Sequence, residues 1–373
     1  MGVTLRPRKI IYVTTDLFVG GAEGMLTRLV TARPAFADEI IVVTLLPAEA
    51  YVERLRAAGI AVLELGFHRP GGVATGLLRL ARLIARAQPD IVQGWMYHGD
   101  LVALIGLVMS GRRRKTRLVW SIRCSDMDFR RYRLRLRLVV KACTALSRMP
   151  DAITANSAAG LQTHLKLGYR PRRAEVIPNG IDLDHFKPDA AARAALRSEL
   201  GIADDIFVVA HVARVDPMKD HEGFATALTK LPDVIALLVG TGTELLSAQC
   251  NTRRLGRRDD VTRIFAAADA VVSSSAFGEG FSNVLAEGMA CGLPAISTDV
   301  GDARSIVGDS GIIVPARDSC ALAAAVRTVA REPKAIRMRR AEQARAYIEK
   351  HFALSQAVKH YSDLYESLMQ PAS

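Results

Sequence analysis

Short β-branched runs alternate with longer helix-period segments along this chain, and the whole alternation occurs twice. In the first half, residues 9–15, 40–45, 61–65, 90–94, 118–122 and 151–154 read as strands, with helical patterns between them at 22–33, 77–87 and 156–167. In the second half the strand runs are 206–211, 234–239, 270–274, 294–298 and 311–314. The runs are nearly all apolar rather than alternating with polar residues. A strand of that kind is buried on both faces, which requires a parallel sheet with helices above and below it. Two sets in succession predict two doubly wound α/β domains. Val176-Ile-Pro-Asn-Gly-Ile-Asp182 breaks the periodicity with turn chemistry and takes the switch between them. The expected division is a first domain over 1–178, a second over 179–350, and a helical tail over 351–373 packing back on the first. The stretch from Arg337 to Met369 reads as helical throughout.

Charge and cysteine content narrow the setting. Residues 1–180 carry 28 Lys and Arg against 13 Asp and Glu, so the first half is +15 while the remainder is −3. Such a half calls for a polyanionic neighbour: phosphate, anionic lipid or nucleic acid. Few aromatic residues interleave the arginines as stacking platforms, so nucleic acid ranks last. The five cysteines (Cys124, Cys143, Cys250, Cys291 and Cys320) are odd in number and form no close pairs. That argues against a disulfide framework or a zinc site and for a reducing, cytoplasmic setting. The longest apolar run, Leu101 to Met109, is far below the roughly 20 residues of a spanning helix. The N-terminal run Ile10 to Val13 ends at Asp16 and reads as a buried strand, not a signal peptide.

In open parallel sheets, ligands sit at the carboxyl ends of the strands, so informative residues should follow strands. Phe18-Val-Gly-Gly-Ala-Glu-Gly24 follows the first strand and opens a helix. Gly20 and Gly21 permit close approach of a phosphate to a helix N-terminus, and they equally serve an ordinary strand-to-helix turn. His211-Val-Ala-Arg-Val-Asp-Pro-Met-Lys-Asp220 places Arg214 and Lys219 just beyond a strand. There they can neutralise a diphosphate or stand as solvated cations. Ala276-Phe-Gly-Glu-Gly-Phe-Ser-Asn-Val-Leu-Ala-Glu287 is the densest constellation. A helix should begin near Ser282. The backbone N–H groups of Gly280, Phe281, Ser282, Asn283 and Val284 then line an anion-binding terminus. Glu279 precedes it and Glu287 lies within it, as ligands of sugar and ribose hydroxyls or as ordinary helix glutamates. His98, in Gly94-Trp-Met-Tyr-His-Gly-Asp100, follows a strand of the first half and reads as an acceptor- or sugar-binding group or as a structural histidine. From residue 129 to 148, Phe129, Tyr132, Leu136, Val139 or Val140, Cys143 and Leu146 recur at helical spacing, with Arg130, Arg131, Arg133, Arg137 and Lys141 largely elsewhere. This pattern permits an anionic-membrane surface or a core-packed helix with a basic outer side.

The run Glu279-Gly-Phe-Ser-Asn-Val-Leu-Ala-Glu-Gly-Met-Ala-Cys-Gly-Leu-Pro294 resembles the signature of the family-four retaining glycosyltransferases. So do Val176-Ile-Pro-Asn-Gly-Ile-Asp-Leu-Asp-His-Phe186, Arg214 with Lys219, Leu255-Gly-Arg-Arg-Asp-Asp-Val261, Gly20-Gly21 and Ala155-Asn-Ser157. The matches keep family order from Gly20 to about Asp299. The resemblance implies a GT-B fold, two Rossmann-like domains with parallel sheets facing across a cleft. It implies retention of anomeric configuration, with no metal or other cofactor and a UDP- or GDP-sugar as co-substrate. It casts Arg214 and Lys219 as the diphosphate clamp, Glu279 as the glutamate beside the donor sugar, Glu287 as the ribose ligand and Gly21 as the glycine nearest the phosphate. The implied acceptor is a saccharide, in particular a lipid-linked one of surface-polysaccharide synthesis, reached from the cytoplasmic face of a membrane. Two places depart from the pattern. Arg123, in Trp120-Ser-Ile-Arg-Cys-Ser-Asp126, stands where the family often has a histidine, and so reads as an acceptor or sugar contact. The segment between Gly242 and Leu255 is short, and Gln249-Cys-Asn-Thr-Arg-Arg254 makes a poor strand. An epimerase or phosphorylase on the same fold, or a non-catalytic nucleotide-sugar-binding protein, are the rival readings.

Overall fold

The computed structural model describes residues 7–18, 20–32, 38–48, 50–125 and 134–370, and the chain divides into two compact units. The first comprises residues 1–180 together with 354–373, and the second comprises 181–353.

The first unit runs β1 (Arg8–Thr14), α1 (Gly21–Thr31), β2 (Asp38–Thr44), α2 (Val52–Ala57), β3 (Ala61–Glu64), α3 (Gly72–Ala87), β4 (Ile91–Trp95), α4 (Met96–Met109), β5 (Arg117–Ile122), α5 (Leu134–Leu146), β6 (Ala152–Ala155), α6 (Ala158–Lys166) and β7 (Ala174–Val176). Its sheet has the order β3-β2-β1-β4-β5-β6-β7, with every pairing parallel. Strand side chains alternate between the two faces, and here both faces are apolar. Ile11 and Val13 of β1 enter a core with Leu80 and Ile84 of α3, Leu104 and Leu107 of α4, and Val140 and Cys143 of α5. Ile10 and Tyr12 enter a second core with Met25 and Leu29 of α1.

The second unit runs α7 (Ala190–Glu199), β8 (Phe207–Val212), α8 (His221–Leu228), β9 (Val234–Val239), β10 (Thr252–Gly256), α9 (Val261–Ala267), β11 (Ala270–Ser273), α10 (Asn283–Ala290), β12 (Ala295–Thr298), α11 (Ala303–Val307), β13 (Ile312–Val314), α12 (Ser319–Arg331) and α13 (Lys334–Phe352). Its all-parallel sheet has the order β10-β9-β8-β11-β12-β13. Val208 and Ala210 of β8 pack with α10 and α13, and Phe207 and Val209 pack with α8 and α12.

The polar stretch before Leu255, expected to make a poor strand, does pair: Thr252–Gly256 lies parallel to β9, with a register shift between Arg254 and Gly256. An edge position tolerates such a sequence, because one side of the strand needs no partner and its arginines reach solvent. The expected continuous C-terminal helix is broken. Ala353 has ψ 145, off the helical value, and separates α13 from α14 (Leu354–Met369). The N–H of Ile181 donates to Phe352 O at 2.7 Å in the second unit. In the first unit, α14 buries Ala357, Tyr361, Leu364 and Tyr365 in the core behind β1, with Tyr12 and Tyr365 hydroxyls 2.9 Å apart. Among the described residues, no helix is long and apolar enough to cross a membrane.

Candidate functional site

In both sheets the strand order reverses beside the first strand, between β1 and β4 in one unit and between β8 and β11 in the other. A crevice outside the carboxyl ends of strands opens at such a switch point. The motifs singled out from the sequence follow these strands.

In the second unit, the turn after β8 is built by Asp216. Its carboxylate caps a 3₁₀ turn over Pro217–Lys219, accepting the Met218 N–H at 2.9 Å, and pairs with Arg214 at 3.2 Å. Burial acts to raise the Asp216 carboxyl, but the Met218 N–H and the Arg214 guanidinium outweigh it and hold the group below its ordinary value. Arg214 itself is exposed. Gly240, at φ 136, lies against this turn, where a Cβ would fall 2.3 Å from Ala213 O. Only glycine allows that approach.

The loop after β11 meets the same turn. The Ala276 N–H donates to Met218 O at 2.8 Å, and Lys219 Nζ donates to Glu279 Oε1. Ser275 Oγ donates to the same carboxylate oxygen at 2.8 Å, and Thr298 Oγ1 donates to Ser275 O at 2.6 Å. Lys219 and Glu279, sixty positions apart, thus form an ion pair whose side chains are 20% and 12% exposed. Gly301, at φ 61, packs on the Glu279 carbonyl; a Cβ there would lie 2.1 Å from it. A small depression beside Glu279 is lined by Ser273, Ser275, Ser282, Ser297 and Thr298 together with Leu285, Val300 and Ala303.

The helix expected near Ser282 begins at Asn283, with Ser282 as its N-cap residue and no side-chain cap bond. The Phe281 ring is buried against Phe352 at 5.3 Å, so from Phe281 only the backbone can serve a ligand. Gly280 O accepts the Asp302 N–H at 3.1 Å, and Val284 is partly buried against the core. Glu287 lies about one turn into α10 and is half-buried beside Cys291. Burial, with this carboxylate adding to it, pushes the Cys291 thiol up to about 12.

In the first unit, Gly20 is the N-cap residue of α1 and Gly21 its first residue. Glu23 folds back over Gly20, where a Cβ would meet its carboxylate oxygen at 2.2 Å. Burial raises the Glu23 carboxyl above its ordinary value, and the charge of Asp16 adds to the effect. Sequence reasoning overlooked this glutamate, although an acidic residue three positions after an N-cap is a known capping pattern. His98 sits in the first turn of α4, just past β4, half-buried, with its pKa lowered by burial. The helix is entered through Met96 at φ 66, a left-handed conformation costly for a side chain of this kind.

Arg123 turns inward. Its guanidinium lies 3.6 Å from the Trp95 ring centroid and donates to Ser121 Oγ at 3.0 Å, to Asn179 Oδ1 at 2.9 Å and to the Tyr361 hydroxyl at 2.5 Å. These contacts tie α14 and the 177–180 segment to the end of β5. The helical pattern expected over 129–148 is described only from Leu134 onward; Phe129, Arg130, Arg131, Tyr132 and Arg133 lie outside the described residues. In α5 most of the apolar stripe packs inward: Val140 and Cys143 are buried, with Leu136 and Val139 against the same core, whereas Leu146 is exposed. The outer side carries Leu134 and Leu138, 67% and 57% exposed, among Arg135, Arg137 and Lys141.

Two family descriptions match successive parts of the chain: "Glycosyltransferase Family 4" over residues 19–185 and "Glycosyl transferases group 1" over 206–332. Among similar sequences, the D-inositol 3-phosphate glycosyltransferase of Xylanimonas cellulosilytica is 34% identical over 196 residues, 46% of this chain and 47% of the relative. That of Mycolicibacterium smegmatis is 32% identical over 221 residues, 54% of this chain and 50% of the relative. The chain thus spans about half the length of these relatives. Among solved structures, Anabaena HepE in complex with UDP and glucose superposes with a TM-score of 0.83 at 23% identity, covering 96% of this chain and all of that one. A glycosyltransferase from Rickettsia africae gives 0.81 at 16% identity, covering 98% and 100%. The fold they share with this chain is GT-B.

Proposed function

Because the chain belongs to the family-four glycosyltransferases, we propose that it moves a sugar from a nucleoside diphosphate sugar to an acceptor hydroxyl with retention of anomeric configuration. The observation that carries this reading is the Lys219–Glu279 pair at the β8/β11 switch point, where a cation for the diphosphate and a carboxylate for the sugar meet. Arg214, Lys219 and the first N–H groups of α10 stabilise the leaving diphosphate. They supply the positive charge that a divalent ion provides in other transferases, so the reaction proceeds without metal. Glu279 stabilises the sugar as it develops positive charge, and Glu287 binds the ribose. In the first unit, the Gly21 backbone after β1 approaches the donor phosphate, and His98 after β4 serves the acceptor or sugar.

The acceptor we assign is a lipid-linked saccharide. The +15 first half and the exposed Leu134 and Leu138 among arginines support contact with an anionic membrane surface. The names of the similar sequences favour a second acceptor, a phosphorylated polyol, which suits the same positive charge. A thermal-shift panel of UDP- and GDP-sugars tests the donor reading, since a ligand at about 100 times its Kd adds roughly 2.7 kcal/mol of stability. No shift with any nucleotide sugar would overturn it. Product analysis with inositol phosphate and with a polyprenyl-linked saccharide then separates the acceptors.

A further inference from the structure

Beneath the turn that carries Lys219 lies a buried group the proposed reaction does not use. His211, at the end of β8, is 1% exposed, stacked on Phe224 at 4.5 Å and edge-on to His221 at 4.8 Å. Its Nε2 lies 2.9 Å from Ser274 Oγ, and Ser274, 2% exposed, lies just past β11. The same serine oxygen is 2.7 Å from the backbone carbonyl of Lys219 and 3.4 Å from that of Asp220.

The direction of this chain follows from what each group can do. A carbonyl only accepts, so the single serine proton points at Lys219 O. The serine oxygen must then accept from the histidine, which requires a proton on Nε2. Burial, reinforced by His221 and Lys219, holds the imidazole well below its ordinary pKa, so the ring is neutral and this one tautomer is selected. Asp220 follows with φ 47, a left-handed conformation that a non-glycine residue holds only when its surroundings impose it.

We propose that His211, donating from Nε2 to Ser274, is a positioning residue that fixes the backbone of Lys219 and so aims its ammonium at the donor diphosphate. This rests on the donor-site reading above for its purpose, but not for its geometry. The relay joins β8 and β11 across the switch point, where the Met218–Ala276 bond alone would leave the Lys219 carbonyl unpaired. A part-buried carbonyl that loses its partner is costly, so the turn would shift to find one.

Two measurements test it. Long-range proton–nitrogen spectra of the full chain, assigned with His211→Gln, should show His211 neutral with the proton on Nε2. A proton on Nδ1, or a charged ring at pH 7, overturns the relay whatever the protein binds. UDP titration by calorimetry, repeated with GDP, tests the consequence. His211→Phe keeps the packing on Phe224 and removes the donor; with Ser274→Ala, it should weaken UDP binding about tenfold, as expected for loss of one hydrogen bond. His211→Gln, which can still donate, should stay within about twofold. In a Lys219→Met background, His211→Phe should change affinity no further, because its effect passes through the lysine. An equal loss in both backgrounds, or no loss in either, refutes the positioning role. Wild-type protein that binds neither nucleotide refutes the donor-site reading instead, and the tautomer result still decides the relay.

Discussion

Glu279→Gln separates the two tasks assigned to the Lys219–Glu279 pair. The substitution keeps the size of the side chain and its contact with Ser275 but removes the charge that balances Lys219. Removing one partner of a fully buried ion pair costs about 3–5 kcal/mol, whereas an exposed pair contributes at most about 1. With the lysine 20% and the glutamate 12% exposed, solvent screens part of the interaction, and a loss of about 1–2 kcal/mol is expected. For a unit of this size that is a fall in Tm of about 2–8 °C. Nucleotide binding should move the other way. With its counter-charge gone, the Lys219 ammonium is left for the diphosphate, so UDP affinity should hold or rise. Turnover should fall by about 10², because the lost carboxylate acts chiefly on the developing positive charge of the sugar. Calorimetric unfolding, UDP titration and steady-state kinetics read the three effects on one protein. Lys219→Met should lose both affinity and turnover. The reasoning is refuted if Glu279→Gln abolishes UDP binding while kcat is unchanged, or if the stability losses of the two single variants simply add in the double variant.

Glu287→Ala should weaken UDP binding by roughly 1.5–3 kcal/mol through loss of its ribose hydrogen bonds, read by calorimetry; unchanged affinity would remove Glu287 from the site. Transfer should survive excess EDTA, and loss of activity restored by Mg²⁺ would contradict the cationic clamp. Co-sedimentation with vesicles should require anionic lipid and fade as salt rises, since exposed charges are screened beyond about 8 Å at physiological ionic strength; equal binding to neutral vesicles would argue against the basic first unit as the cause. Stability should fall as pH drops below about 6.5, where unfolded histidines take up protons that buried His211 refuses. One such histidine costs about 1.4 kcal/mol at pH 5.5 relative to pH 7.5, read from urea unfolding, and His211→Phe should remove that part of the slope.

Most strands were legible because they are apolar on both sides, a pattern that only a covered parallel sheet satisfies; the short, exposed edge strand β7 at Ala174–Val176 carries no such pattern and was missed. Once two sets of strands are recognised, the carboxyl-end rule leads to Arg214, Lys219, Glu279 and the start of α10, since all follow a strand and precede a helix. Local chemistry also reveals the turn at Pro178-Asn-Gly180. Position in the sheet decided what local propensity could not. Thr252–Gly256 is a strand because an edge beside β9 accepts it, not because its residues favour one. Pairings across long separations were equally invisible. Nothing in the sequence near Lys219 announces that its partner is Glu279, or that Ser274 and His211 hold its backbone. Arg123 is the clearest case. Its place after β5 reads as a ligand contact, yet Trp95, Asn179 and Tyr361 come from three distant segments and turn its guanidinium into the core. Sequence periodicity records which way a residue faces relative to its own element, whereas the partners of a polar side chain depend on which elements the fold brings beside it.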